Sequence, residues 1–413
     1  MLHKTLLALT LLAATPPLHA ADAPLQARDT LPPPGRRTLP GTRPDTLGDM
    51  SRPVPPQPAD TSRQPLRDSI TILGVGDIML GTDFPSPRYL PPDDGAHLLK
   101  PVTAFIEEAD VAFGNLEGTL LSGNHPGKKC RDTLVCYAFK MPEHYVRYLK
   151  AAGFDVLSIA NNHINDFGEK GARNTVEILR QAGIHHAGLT SCPTAVFRHG
   201  DLTIGFTAFA PNTGTMNFND HARAARIVQA LDSTCDIVVV SFHGGAEGAT
   251  KNRVTREDEL FVGENRGNPY RFARAVIDAG ADIVFGHGPH VTRAIDLYRD
   301  RLICYSLGNF ATYGRFNLSG ISGVAPMVRV TVNRKGAFRS ALIHSIHQPG
   351  EGGPVPDDRQ RALKEIVRLT RSDIPEAPLD ISADGVVRKR QPADGSGKVA
   401  AGPMQKSTTD RRQ

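Results

Sequence analysis

The chain has 413 residues, 40% of them hydrophobic and 22% charged, with a formal net charge of +5 and no tryptophan. The excess charge sits at one end: residues 385–413 carry seven Lys and Arg against two acids, which accounts for all of it. No aromatic residues interleave with these cations, so a nucleic-acid-binding stripe is excluded, and beyond the N-terminus no stretch is long and apolar enough to span a bilayer.

In chain order, residues 1–20 read as a signal peptide. Lys4 supplies the positive n-region, Leu6–Ala14 is a short apolar h-region, and Ala20 and Ala21 offer a small-residue cleavage site. The expected location is therefore periplasmic or secreted. Residues 21–68 are rich in Pro, Arg, Asp and Thr without apolar periodicity, the composition of an extended, disordered linker. Residues 69–372 read as one large α/β domain. Residues 373–413 read as a basic, disordered tail, able to touch an anionic polymer or membrane surface.

Of the five cysteines, Cys130 and Cys136 share a polar, loop-like stretch and suit a local disulfide in an oxidising compartment. Cys235 and Cys304 sit in or beside apolar runs and read as small core residues. No Cys/His spacing of a structural zinc site occurs.

Within 69–372, helical apolar spacing recurs at Leu98–Ala109, Pro142–Ala152, Glu169–Ala182, Asp220–Leu231 and Pro269–Ala279. Pro142 and Pro269 suit first-turn positions, and Gly153, Gly183 and Gly280 suit C-caps. Later runs, Leu302–Ser306, Met327–Val332 and Ala341–Ile346, are strand-like with little helix between them. Arg359–Arg371 reads as a final amphipathic helix. A mixed sheet, or two packed sheets flanked by helices, is expected.

Polar side chains gather where the strand-like runs end. Asp77 follows Ile70–Val75, and Asn115 and Glu117 follow Val111–Phe113. Asn161, Asn162 and His163 follow Asp155–Ala160. His243 closes Ile237–Phe242, and His287 and His290 follow Ile283–Phe285. Open α/β sheets build sites at such strand ends. Singly, each residue has an ordinary reading as a cap, a turn residue or a satisfied core histidine. Together, carboxylate, amide and imidazole donors at five strand ends predict a metal-dependent catalytic site for Zn, Mn or Fe.

Six short motifs then carry a resemblance. They are Gly76-Asp77-Ile78-Met79-Leu80-Gly81, Gly114-Asn115-Leu116-Glu117, and Ala160-Asn161-Asn162-His163-Ile164-Asn165-Asp166-Phe167-Gly168. His243-Gly244-Gly245-Ala246-Glu247, Gly286-His287-Gly288-Pro289-His290-Val291 and Tyr305-Ser306-Leu307-Gly308-Asn309-Phe310 complete the set. In this order, over about residues 70–346, the chain resembles the CapA family of poly-γ-glutamate capsule synthesis proteins, relatives of the calcineurin-like metallophosphoesterases.

The resemblance implies a four-layer α/β sandwich of metallophosphoesterase type. It implies one or two divalent ions per chain, Mn, Zn or Fe. It makes Asp77, Asn162, His243 and His290 metal ligands and His287 a further candidate, and it places Glu117 near a bridging carboxylate. It makes His163 the proton donor to a leaving group, oriented by Asp166. Glu247 and Asn309 are pocket candidates without a role. Met79 stands where the wider superfamily has a ligand histidine, which leaves one metal position a ligand short. The implied function is handling of a capsular or cell-surface anionic polymer through a hydrolytic site. The alternatives are a periplasmic phosphodiesterase or phosphatase, and a non-catalytic polymer-binding subunit of a capsule export machine.

Overall fold

The computed structural model describes residues 68–129 and 137–391. The signal-peptide and linker expectations, apart from Asp68, and the Cys130–Cys136 pairing lie outside these residues. Cys192 and Cys235 are half-buried free thiols, and Cys304 is a buried one.

Two sheets pack face to face. The first runs Leu379–Ile381, Val386–Lys389, Phe338–His347, Val324–Asn333, Ser69–Met79, Val111–Leu116, Val156–Ser158, His185–Ala187. The last four strands of that order are mutually parallel, and Val324–Asn333 lies antiparallel to Ser69–Met79. The second sheet runs Ile295–Tyr298, Arg301–Cys304, Ile283–His287, Ile237–His243, Leu202–Phe209, Thr194–His199. Its four central strands are parallel. The central parallel strands Ile237–His243 and Ile283–His287 are buried along their whole length, which is why they read as continuous β-branched and aromatic runs.

Phe113 of the first sheet stacks on Phe285 of the second at 5.3 Å and meets Phe206 at 5.4 Å. Helices cover the outer faces. Gly168–Gln181 lies against the first sheet, and His221–Asp232 and Pro269–Asp278 against the second. The result is the expected α/β sandwich of four layers. Asp220 and Asn268 cap their helices by accepting from the backbone N–H three residues on, with Pro269 in the first turn. The expected helix Leu98–Ala109 is shorter: a 3-10 turn at Lys100–Val102 leads into Thr103–Glu107. Pro101 has no N–H to continue the ladder.

One boundary is corrected. The folded unit does not end at 372, and residues from 373 are not all tail. Leu379–Ile381 and Val386–Lys389 form a hairpin on the edge of the first sheet, with Val386 and Val387 paired to Leu342 and Ala341. Leu379 and Val387 are buried. The strands are short and end in Arg388, Lys389 and Arg390, so charge masks their alternation. The turn rests on Gly385, whose φ of 86° favours glycine. Among the described residues, no helix is long and apolar enough to cross a membrane.

Candidate metal centre

The sheets bring their strand ends together at one edge. Asp77, near the end of Ser69–Met79, lies in register with Asn115 on one side and Asn309 on the other. Gly76 makes this possible: a Cβ there would come within 2.0 Å of the Gly308 carbonyl oxygen, so only glycine lets the Asn309 strand close in. His243 and His287 end adjacent parallel strands and are register partners.

Asp77 is fully buried. Its Oδ1 accepts from Asn115 Nδ2 at 2.8 Å and lies 3.2 Å from His287 Nδ1, while Oδ2 lies 2.9 Å from His290 Nδ1. Burial opposes ionisation of Asp77, yet the two imidazoles outweigh it and hold the carboxyl well below its usual range. His290 shows the reciprocal effect. Burial works against its proton, but Glu117 and Asp77 push its pKa up to about 10. Its backbone is left-handed, with φ 58°, in the turn after Pro289. That sparsely populated conformation is held by Asn309, whose Nδ2 donates to the His290 carbonyl at 3.3 Å.

Glu117, His243 and His290 form a tighter group, each with a ligand atom within 4.8 Å of the others. Glu117 is fully buried, and neither carboxylate oxygen has a hydrogen-bond partner. Its Oε1 lies 3.5 Å from His290 Nε2 and 3.7 Å from His163 Nε2. Burial raises its pKa well above the usual value. Burial also keeps His243 neutral, and its Nε2 has no partner. Asn162 Oδ1 is buried without a partner in the next turn. Buried polar groups left without partners are costly, and a cation satisfies the carboxylate and amide oxygens. Carboxylate, amide and imidazole groups are the donor set that Mn, Zn and Fe take. The residues present therefore fit a divalent metal ion.

His163 stands beside this cluster. Its Nδ1 is 2.7 Å from Asp166 Oδ2, and Asp166 is itself fixed by the Phe139 N–H at 2.8 Å and by Lys128 at 2.6 Å. Burial lowers the His163 pKa, with Asp166 opposing. The imidazole also lies on Phe139, ring centroids 4.2 Å apart.

Seven of the eight sequence-derived site residues are linked by contacts at this edge, and Asn162 precedes His163 in the same turn. Asp77 and His287 sit against the Glu117–His243–His290 group, and His163 with Asp166 lies to its side. Met79 turns away: it is fully buried in the core, where its sulfur accepts from Gly81 N–H at 3.3 Å.

Two contributors carried no assigned role in the sequence. Asn115 ties Asp77 to His243, its Nδ2 lying 3.3 Å from His243 Nδ1. Its strand-end position was the only signal. Arg266 is buried and donates to Glu247 Oε1 at 2.7 Å, while Glu247 Oε2 lies 4.0 Å from His290 Nε2. The turn bearing Glu247 is anchored by a buried bidentate pair between Arg293 and Glu259, which also accepts from Ala246 N–H. Nothing in the local sequence marks Arg266, because its partner is nineteen residues away.

The family model described as bacterial capsule synthesis protein PGA_cap matches residues 71–313. The chain belongs to this family. It is 30% identical over 264 residues to the capsule biosynthesis protein CapA of Bacillus anthracis, covering 59% of this chain and 60% of that protein. To the PGA biosynthesis protein CapA of Bacillus subtilis it is 28% identical over 264 residues, covering 59% and 63%. The chain thus spans about three fifths of the length of these curated relatives. Among solved structures, the sulfate thiohydrolase SoxB of Thermus thermophilus matches at 12% identity with a TM-score of 0.37, covering 76% of this chain and 61% of that one. A likeness that loose carries no argument about function. Every motif up to Asn309 falls within the matched residues.

Proposed function

We propose that this capsule-synthesis family protein acts outside the cytoplasm on an anionic cell-surface polymer of the poly-γ-glutamate kind, through a metal-dependent hydrolytic site. The observation that carries the reading is the close grouping of Glu117, His243 and His290, with buried, unpartnered polar atoms on Glu117 and His243, beside Asp77. The family description and the name of the Bacillus subtilis relative, both of which print PGA, supply the polymer.

Glu117, His243 and His290 would hold the ion, with Asp77 and Asn162 completing the donors and His287 behind them. A divalent cation there supplies a Lewis acid and a more acidic water. The chain's own residues do the rest. Asp166 accepts from His163 Nδ1 and fixes the tautomer, so that Nε2 faces the site. Once Nε2 takes up a second proton from solvent, the imidazolium, which Asp166 favours, would pass that proton to the leaving group. Asn115 and Asn309 hold Asp77 and His290 in place.

The test is elemental analysis of the purified protein together with turnover of poly-γ-glutamate and of an activated phosphodiester. Metal with polymer cleavage supports the reading. Cleavage of the phosphodiester alone would make the protein a phosphodiesterase, and metal-free polymer binding without turnover would make it a binding subunit. Cell fractionation tests the location.

A further inference from the structure

We propose that a cationic cleft between the helix Arg361–Asp373 and the C-terminal hairpin binds a chain-like polycarboxylate, at a site separate from the Asp77 cluster. The choice of poly-γ-glutamate as the natural chain rests on the function proposed above; the cleft and its charge do not.

The cleft has a volume of about 1190 Å³ and is continuous with a second hollow of about 520 Å³, with Val367, Arg371, Ile381 and Ser382 lining both. Seven Lys and Arg side chains line the two, against two carboxylates, Asp380 and Asp384. Three of the seven have acidic partners. Arg390 pairs with Asp380 at 2.9 Å, Arg368 with Glu365 at 2.7 Å, and Lys389 with Asp300. Arg339, Lys364, Arg371 and Arg388 have no side-chain hydrogen bond or salt bridge among the described residues, and all four are exposed.

The arrangement follows from the helix. Lys364, Arg368 and Arg371 fall at i, i+4 and i+7 and share one face. The carboxylates that would neutralise that face are engaged elsewhere. Glu365 also accepts from Asn252, and Asp373 takes Arg253 and the Val254 N–H. Arg388 and Arg339 close the far wall from the sheet edge. Arg388 stands opposite Asp380 across the hairpin, so its charge is partly offset, but the surplus of cations around the hollow still concentrates anions within it.

The floor is apolar, made by Val367, Ile374, Leu379, Ile381 and Val386. A γ-linked glutamyl chain offers one carboxylate and two methylenes per residue. Cations along the rim suit the first and the floor suits the second. Two hollows that share four lining residues admit a chain, whereas a flat anionic bilayer meets only their rim. The chain's own C-terminal segment leaves from Gln391 at the edge of the cleft. It carries Lys398, Lys406, Arg411 and Arg412 against Asp394 and Asp410, so its charge has the same sign as the cleft.

The experiment is fluorescence anisotropy of labelled poly-γ-glutamate with the full chain, at low and at physiological salt. R371E/R388E should weaken binding by about tenfold or more and flatten its salt dependence. R371Q/R388Q should fall between. Both variants should keep the wild-type thermal transition, metal content and turnover of a small phosphodiester, because the altered residues are exposed and lie outside the metal centre. Polymer bound equally well by wild type and both variants would overturn the cleft while leaving the polymer reading intact. Binding to phosphatidylglycerol vesicles but not to the polymer would also overturn it, as would no binding at all. Polymer held through the cleft and never cleaved would uphold the cleft and defeat the hydrolytic reading.

Discussion

Glu117 is a carboxylate placed where only a cation can use both of its oxygens. Without metal it is buried, unpartnered and costly to ionise. E117Q should therefore raise the melting temperature of the metal-free protein at pH 8, while abolishing the further rise that metal gives the wild type. Thermal scans with and without Mn or Zn read both effects, and a lower metal-free transition would contradict this placement. His290 makes a second, pH-dependent case. Its value in the fold lies near 10, above an ordinary 6.5, so its proton stabilises the metal-free fold fully below about pH 6.5. That stabilisation is lost as pH rises towards 10. The advantage of the wild type over H290Q in denaturant titrations should shrink across this window. A cation needs the same lone pair, so metal affinity should climb with pH and loading should release protons. For His163, H163A should retain bound metal, lose most turnover of substrates with poor leaving groups, and spare activated esters. Loss of metal would make His163 a ligand.

At the scale of the element, the strand ends were what the sequence displayed best. Apolar runs that stop at Asp77, Glu117, His163, His243 and His287 are local patterns, and burial of parallel strands makes them continuous and visible. Cross-strand partnerships are not local. The pairing of Asn115 with His243 spans two sheets, and that of Arg266 with Glu247 depends on how the intervening loop folds back, so neither could be read in advance. Met79 also needed the structure to place it. Because its sulfur lies in the core and not in the site, M79H should cost about 1–3 kcal/mol of stability by burying a polar ring, with no second tight metal gained. Elemental analysis showing a rise towards two ions would contradict that. G76A tests the strand approach itself. Its Cβ would meet backbone at 2.0 Å, which cannot yield as a side chain would. The variant should lose stability and metal together.

For the whole molecule, alternating strand and helix signals gave the α/β class, and the change to strands after residue 300 left a mixed sheet and two packed sheets equally open; the structure has both, two sheets of which the first is mixed because those late strands join it antiparallel. The C-terminal hairpin stayed hidden because two short strands amid Arg, Lys and Asp look like a solvated tail. Its burial of Leu379 and Val387 against the first sheet makes it part of the fold. A chain ending at Asp373 should therefore melt several degrees below one ending at Gln391, at roughly 2–4 °C per kcal/mol lost. Equal transitions would show the hairpin to be dispensable.

The most direct test of the account is the metal content of the dialysed protein beside that of H290A. One tightly held divalent ion per chain in the wild type, and none in the variant, is the predicted result. A wild-type protein that holds no metal, or a variant that holds as much, would contradict it.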